Sequence, residues 1–315
     1  MESIRLPRFS RAPGSIGAMQ LTARDAKVVR LVSQHRFLRS NQIITLAGGS
    51  SQQLSRRLQL LFHHGYLDRP RSQLAYFHQG GSKSIVYGLG NKGAKLLAGA
   101  AESRPRFDWT DRNQSVKQLH LQHTLLISDV MVALEEACAR NGKVRLVRED
   151  DLASGIKLRD PFHWAVNVRS HLLGLRPDKV FALENIKTGE RAFYFLEADR
   201  ATMPVARRSL SRSSFRRKLL AYEATWKQNI HRSRFGFHRF RVLTVTSSPE
   251  RVEHLIEAAR ELERGHGLFL FTDVHSLLAH PDPLSLDWKS GRRGGRLIEV
   301  RPLTAAAVPR ADACA

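Results

Sequence analysis

The sequence predicts a two-part chain of mixed class, an α+β unit at the N-terminus followed by an α/β unit. Three observations carry this. Residues 22–64 show helical apolar spacing with capped starts and run straight into short strand-like stretches. From about residue 115 the order is helix, strand, strand, strand, helix, strand, the pattern of helices layered on a sheet. The charge is also uneven. The 315 residues hold 51 Lys and Arg against 29 Asp and Glu, a net +22, and residues 1–95 alone hold 15 basic and 3 acidic side chains.

That length supports two cores. The 42% hydrophobic and 25% charged residues describe a soluble globular protein. There is no apolar run long enough to span a bilayer and no apolar segment of secretory type, so no membrane partner is expected. Cys138 and Cys314 fit no metal or redox spacing. The expected location is cytoplasmic. No Gly-rich loop ends in Gly-Lys-Ser/Thr, so no nucleotide triphosphate site of that type is expected. The excess of basic charge points to double-stranded DNA, because displaced counterions drive cationic surfaces onto nucleic acid.

Taken in order, residues 1–20 contain Pro7, Pro13, Gly14 and Gly17 and are expected to form a flexible arm. Thr22 is the N-cap of a first helix, with Asp25 at the third helical position. A second, short helix is expected over residues 40–46, then a turn at Ala47-Gly48-Gly49-Ser50. Ser50 with Gln53 predicts a capping box for a third helix, whose Leu54, Leu58 and Leu61 make the buried face. Gln52, Ser55, Arg56 and Gln59 form its opposite stripe, side chains able to bond base edges and phosphates. Arg57 and Lys83 complete the set expected to contact DNA. Residues 74–78 and 84–89 read as a hairpin about Gln79-Gly80-Gly81-Ser82.

Three helices followed by a hairpin make a winged helix-turn-helix over residues 21–98. The stretches LLFHHGYLDRP and VYGLGNKGAKLL resemble the winged-helix domains of bacterial regulators, in which a hairpin wing follows the reading helix. Residues 99–114, with Arg104-Pro105-Arg106, are expected to be a linker.

The second unit covers residues 115–290. A long helix is predicted over 115–141, with Val116, Leu119, Leu126, Val130, Leu134 and Ala137 as its apolar stripe and Gly142 as the glycine that ends it. His120 and His123 lie on it at i, i+3 and are expected to make polar contacts within the fold. A strand over 144–148 precedes an irregular stretch, 152–174. Residues 179–183 and 192–196 are rich in β-branched and aromatic residues and form a hairpin. If Glu184 pairs with Arg191, Asp178 stands opposite Glu197, and Asp199 shares that face. A slip of one residue would separate them. Three acids converging in this way suit a divalent cation with oxygen ligands. A helix over 213–229, a strand over 241–246, a helix over 249–264 with Pro at its start and a strand over 268–272 follow. Residues 291–315 are a basic, then Ala-rich tail.

Pro177-Asp178 and Glu197-Ala198-Asp199 in this setting resemble the core of the PD-(D/E)xK nuclease-like superfamily. The resemblance implies a restriction-endonuclease-like α/β domain, with Asp178 and Glu197 catalytic and binding Mg²⁺ and Asp199 as a further ligand. Asp199 occupies the position of the superfamily's lysine, and Lys218 on the following helix is the best candidate replacement, with Lys179 the other. The whole pattern is similar to the replication-relaxation family of bacterial and plasmid proteins, through Pro177, Asp178, Glu197, Asp199, Arg200, Thr202, Lys218 and Tyr222. That likeness implies a DNA-binding protein of replication, or its control, on a plasmid or other mobile element. A second copy or a replication protein would be a further partner. The alternative it implies is a Mg²⁺-dependent DNA endonuclease targeted by the winged helix.

Overall fold

Thr22 opens the first helix, α1 (Ala23–His35), with a reciprocal cap. Its hydroxyl accepts from the Asp25 N–H, and Asp25 Oδ2 accepts from the Thr22 N–H at 2.8 Å. The structure, a computed structural model, describes residues 6–12, 14, 16–77, 83–99, 108–154, 158, 160–206, 214–292 and 294–297. After α1 come β1 (Phe37–Arg39), α2 (Ser40–Ala47) and α3 (Ser51–His63). Ser50 Oγ accepts from the Gln53 N–H, one half of the expected capping box. β2 (Leu67–Asp68), α4 (Leu74–Phe77), β3 (Val86–Leu89) and α5 (Asn91–Ala98) follow. The strands form an antiparallel sheet in the order β1-β3-β2. Val28, Val32, Leu54, Leu58, Leu61 and Leu89 fill the core between helices and sheet.

The expected hairpin is built differently. Residues 74–77 are helical, and β3 pairs with β1 and β2 instead. The reason is Gln73. Its side chain donates to the Val86 carbonyl at 3.0 Å and accepts from the Val86 N–H at 2.8 Å. One amide side chain thus supplies the bonds of a neighbouring strand, and the residues after it are free to coil. The turn at 79–82 lies outside the described residues. So do residues 1–5 of the arm. Its described part lies against the end of α3: Arg11 Nε donates to the Phe62 carbonyl at 3.2 Å, and Arg11 pairs with Asp68 at 3.4 Å.

The second half of the expected linker is helical, as α6 (Trp109–Ser115). Buried Asn113 on it donates to the Leu89 carbonyl at 2.8 Å and accepts from Arg36 at 2.6 Å, tying the segment to β3. α7 (Gln118–Asn141) then ends at Gly142, whose φ of 67° is the left-handed turn a glycine takes without strain. Its early turns back the first sheet: Leu121 and Leu125 pack on Phe37 and Val86, and Ser128 Oγ donates to the Phe37 carbonyl at 2.7 Å. Leu119, expected in the buried stripe, is 64% exposed, whereas Leu121 two residues on is fully buried.

The second sheet follows: β4 (Val144–Arg148), α8 (Glu149–Ala153), the hairpin β5 (Trp164–Val168) and β6 (His171–Leu175), then β7 (Lys179–Asn185) and β8 (Arg191–Asp199). α9 (Phe215–Lys227), α10 (Ile230–Ser233), β9 (Phe240–Thr246), α11 (Pro249–Arg260), β10 (Phe269–Asp273) and α12 (Val274–Ala279) complete it. The strand order is β10-β9-β8-β7-β4, with β4, β7 and β8 antiparallel and β8, β9 and β10 parallel. One face packs on α7 and α12 through Leu126, Val130, Leu134, Phe181, Leu196 and Leu243. The other packs on α9, α11 and the β5–β6 hairpin through Trp164, Phe195, Leu219, Tyr222 and Leu255. Successive residues of β8 alternate between these faces, as the strand period requires. Residues 152–174, expected to be irregular, thus contain a hairpin. Trp164, Val166, Leu173 and Leu175 are its buried side, closing the outer layer over α9.

Candidate functional site

The register on which the acid cluster depends is present: Glu184 pairs with Arg191, and the ladder runs to Lys179 opposite Leu196. Asp178 lies one residue beyond it, with its N–H donating to the Leu196 carbonyl at 3.0 Å. β8 runs parallel to β9, so Glu197 and Asp199 come out at the end of the sheet where α9 and α11 begin. There they line a cleft of about 290 Å³ together with His120, His123, Arg200 and Lys218.

Each acid is met by donors. Asp178 Oδ1 bonds His123 Nε2 at 3.0 Å, and Asp178 Oδ2 accepts from the Ala198 N–H at 2.8 Å. Glu197, 1% exposed, accepts from the Lys218 ammonium on one oxygen and from the Tyr222 hydroxyl at 2.6 Å on the other. Asp199 accepts from Thr246 at 3.0 Å and from both ends of the Arg251 fork, at 2.8 and 3.3 Å. Arg251 also donates to the Met203 carbonyl at 2.6 Å, fastening the segment after β8 to α11.

Burial raises Glu197 above the usual carboxylate range, with the Lys218 charge opposing it. Burial works against the Lys218 ammonium, but Glu197 and Asp178 more than compensate and hold it charged. Burial likewise pushes Asp178 up, and the His123 hydrogen bond and Lys218 charge bring it below its ordinary value. His123 is raised, first by its bond to Asp178 and against burial. Its stabilising contribution is therefore complete below about pH 6.5 and lost as pH rises through the raised folded value. The Asp178 contribution is present above about pH 3.8 and lost as pH falls through its lowered value. The stability gap between the protein and its His123→Gln variant should thus be widest near pH 5, on the order of 1 kcal/mol, and should narrow by pH 8.5. Urea midpoints of both proteins at the two pH values check this. A gap that widens with pH would contradict the ion pair.

Do these residues fit a divalent cation? All six carboxylate oxygens of Asp178, Glu197 and Asp199 already accept from protein donors. Asp199 is turned to Arg251, and among the described residues no three His, Cys, Asp or Glu side chains gather as a ligand set. The expected Mg²⁺ site does not fit the arrangement, and the Lys218 ammonium supplies the positive charge beside Glu197 that a cation would bring.

The residues expected to contact DNA separate into groups. Gln52, Ser55 and Arg56 are exposed on α3, opposite buried Leu54, Leu58 and Leu61, and Gln59 is half-buried beside them. Arg57 is turned back: its guanidinium forks onto buried Asp25 and donates to the Gln20 carbonyl at 3.0 Å. Lys83 is exposed, on the connection before β3. Sequence reasoning missed Arg251 and Thr246. The parallel pairing of Asp199 with Thr246 would have found both, because the helix starting at Pro249 must then begin beside Asp199.

Fold and site together define a mixed α/β protein with a basic helical N-terminal unit and a charge-paired cleft at the end of its larger sheet. The chain belongs to the replication-relaxation family, whose pattern matches residues 29–239. That membership supports a role connected with replication. No curated protein and no solved structure matches the chain. Among the described residues, no helix is long and apolar enough to cross a membrane.

Proposed function

We propose that this protein binds double-stranded DNA in replication, or its control, on a plasmid or other mobile element. α3 serves as the reading helix of a winged helix-turn-helix, and the β2–β3 connection as its wing. The observation that carries this reading is the exposed stripe of Gln52, Ser55 and Arg56 on a helix whose other face is locked into the core. Amides and guanidinium groups are the side chains that bond adenine and guanine edges bidentately. The stripe sits in a stretch of 15 basic and 3 acidic residues. Beside α3, Arg8, Ser40, Ser55 and Gln59 line a concavity of about 650 Å³, into which a phosphate backbone can settle.

The Gln52→Ala/Arg56→Ala variant should lose about 10- to 100-fold in affinity for a selected duplex site and far less for random duplex. Fluorescence anisotropy on both duplexes checks it, and equal losses would remove α3 as the reader. The endonuclease alternative would require the Lys218–Glu197 and His123–Asp178 pairs to open. Incubation with supercoiled plasmid and Mg²⁺ or Mn²⁺, beside the Asp178→Ala/Glu197→Ala variant, separates the two. Binding without nicking by either protein is the expected result.

A further inference from the structure

At the opposite end of the larger sheet, where β8 and β9 begin, lies a second concavity of about 500 Å³. β8 separates it from the acid-lined cleft by roughly 20 Å, at about 3.3 Å per residue. Its size is within the range of ligand pockets. Its walls carry Arg191, Arg232, Arg239, Arg241, His231 and His238 beside aromatic rings, and none of its lining residues is acidic. The four arginines are not equivalent. Arg191 is held by Glu184 at 2.6 Å, and Arg241 donates to the Arg296 carbonyl at 3.2 Å. Arg232 and Arg239 are exposed and, among the described residues, pair with no carboxylate, although Arg232 Nε donates to the His238 carbonyl at 3.5 Å.

Trp226 forms one wall. It continues the stripe of Phe215, Leu219 and Tyr222 of α9 at helical spacing, yet it is 38% exposed and lines the pocket. Among the described residues it is the one aromatic in the set of exposed large apolar side chains. An accessible indole beside exposed guanidinium groups with no carboxylate partner is the chemistry that stacks a nucleobase and holds its phosphate.

We infer that this pocket binds a nucleotide of single-stranded DNA, with the base against Trp226 and the phosphates on Arg232 and Arg239. The site is distinct from the duplex surface proposed on α3 and stands whether or not that surface reads DNA.

The test uses the full chain and a fluorescently labelled dT20 strand, with a random duplex as control. Trp226→Ala should weaken dT20 binding roughly 5- to 150-fold and change duplex affinity less than twofold, while Trp226→Phe keeps most of the strand affinity. Arg232→Gln/Arg239→Gln, at two exposed positions, should lower the salt slope of strand binding by about 1.4, and it carries the test if Trp226→Ala does not fold. Free dTMP should compete only at concentrations far above that of the strand. Three results would overturn the inference: no dT20 binding by the parent protein, losses of equal size on strand and duplex, or dTMP competing as well as dT20 nucleotide for nucleotide.

Discussion

Replacing Arg251 with alanine should destabilise the larger unit by about 3–5 kcal/mol, the usual effect of stripping one partner from a buried ion pair. Asp199 would be left in a site where it is 6% exposed, with Thr246 as its remaining side-chain donor. The Met203 carbonyl would lose its donor too, so the segment leaving β8 would come loose from α11. Urea unfolding of Arg251→Ala, Asp199→Ala and the double variant closes a thermodynamic cycle. The double variant should be less impaired than the sum of the single ones. A loss below about 1 kcal/mol for Arg251→Ala would mean that the pair behaves as a solvated surface contact.

Phe195→Ala should cost a similar amount, about 3–5 kcal/mol, for a different reason: the void it leaves. Phe195 is fully buried at the middle of β8 and meets the rings of Phe240 at 5.2 Å, Trp164 at 5.4 Å and Tyr222 at 5.7 Å. These three rings come from three elements, so the cavity has rigid walls and cannot collapse cheaply. Tyr222 would also lose the surface that aims its hydroxyl at Glu197. Phe195→Leu should recover more than half of the loss. Thermal unfolding of the two variants distinguishes the cases, and equal destabilisation by Leu and Ala would mean that ring shape matters more than filled volume.

Much of this architecture was legible because it rests on local chemistry. Thr22 with Asp25 fixes the start of α1, and Ser50 that of α3. Glu184 opposite Arg191 fixes the register of β7 and β8. What was not legible depends on side chains that act at a distance. Gln73 stands in for a strand at Val86, and nothing in its neighbourhood marks it for that role. Asp178, Glu197 and Asp199 do come to one end of the sheet as the register requires. Their donors, however, come from three helices, through His123, Lys218 with Tyr222, and Arg251. Sequence spacing within β8 cannot show that the acids are already neutralised. Arg57 illustrates the same limit, since its position on α3 suits a reading role while its guanidinium is held by Asp25.

α7 gives its early turns to Phe37 and Val86 and its later ones to Phe181 and Leu196. One helix is therefore the floor of the small sheet and a wall of the large one. A fragment ending in the 99–114 stretch would lack that floor and expose Phe37 and Val86 to water. A fragment beginning after Asn141 would leave Phe181, Leu196 and Leu243 uncovered. Excision of either part as a free-standing piece calls for retaining residues 118–141 with it, and the same helix cannot serve both pieces at once.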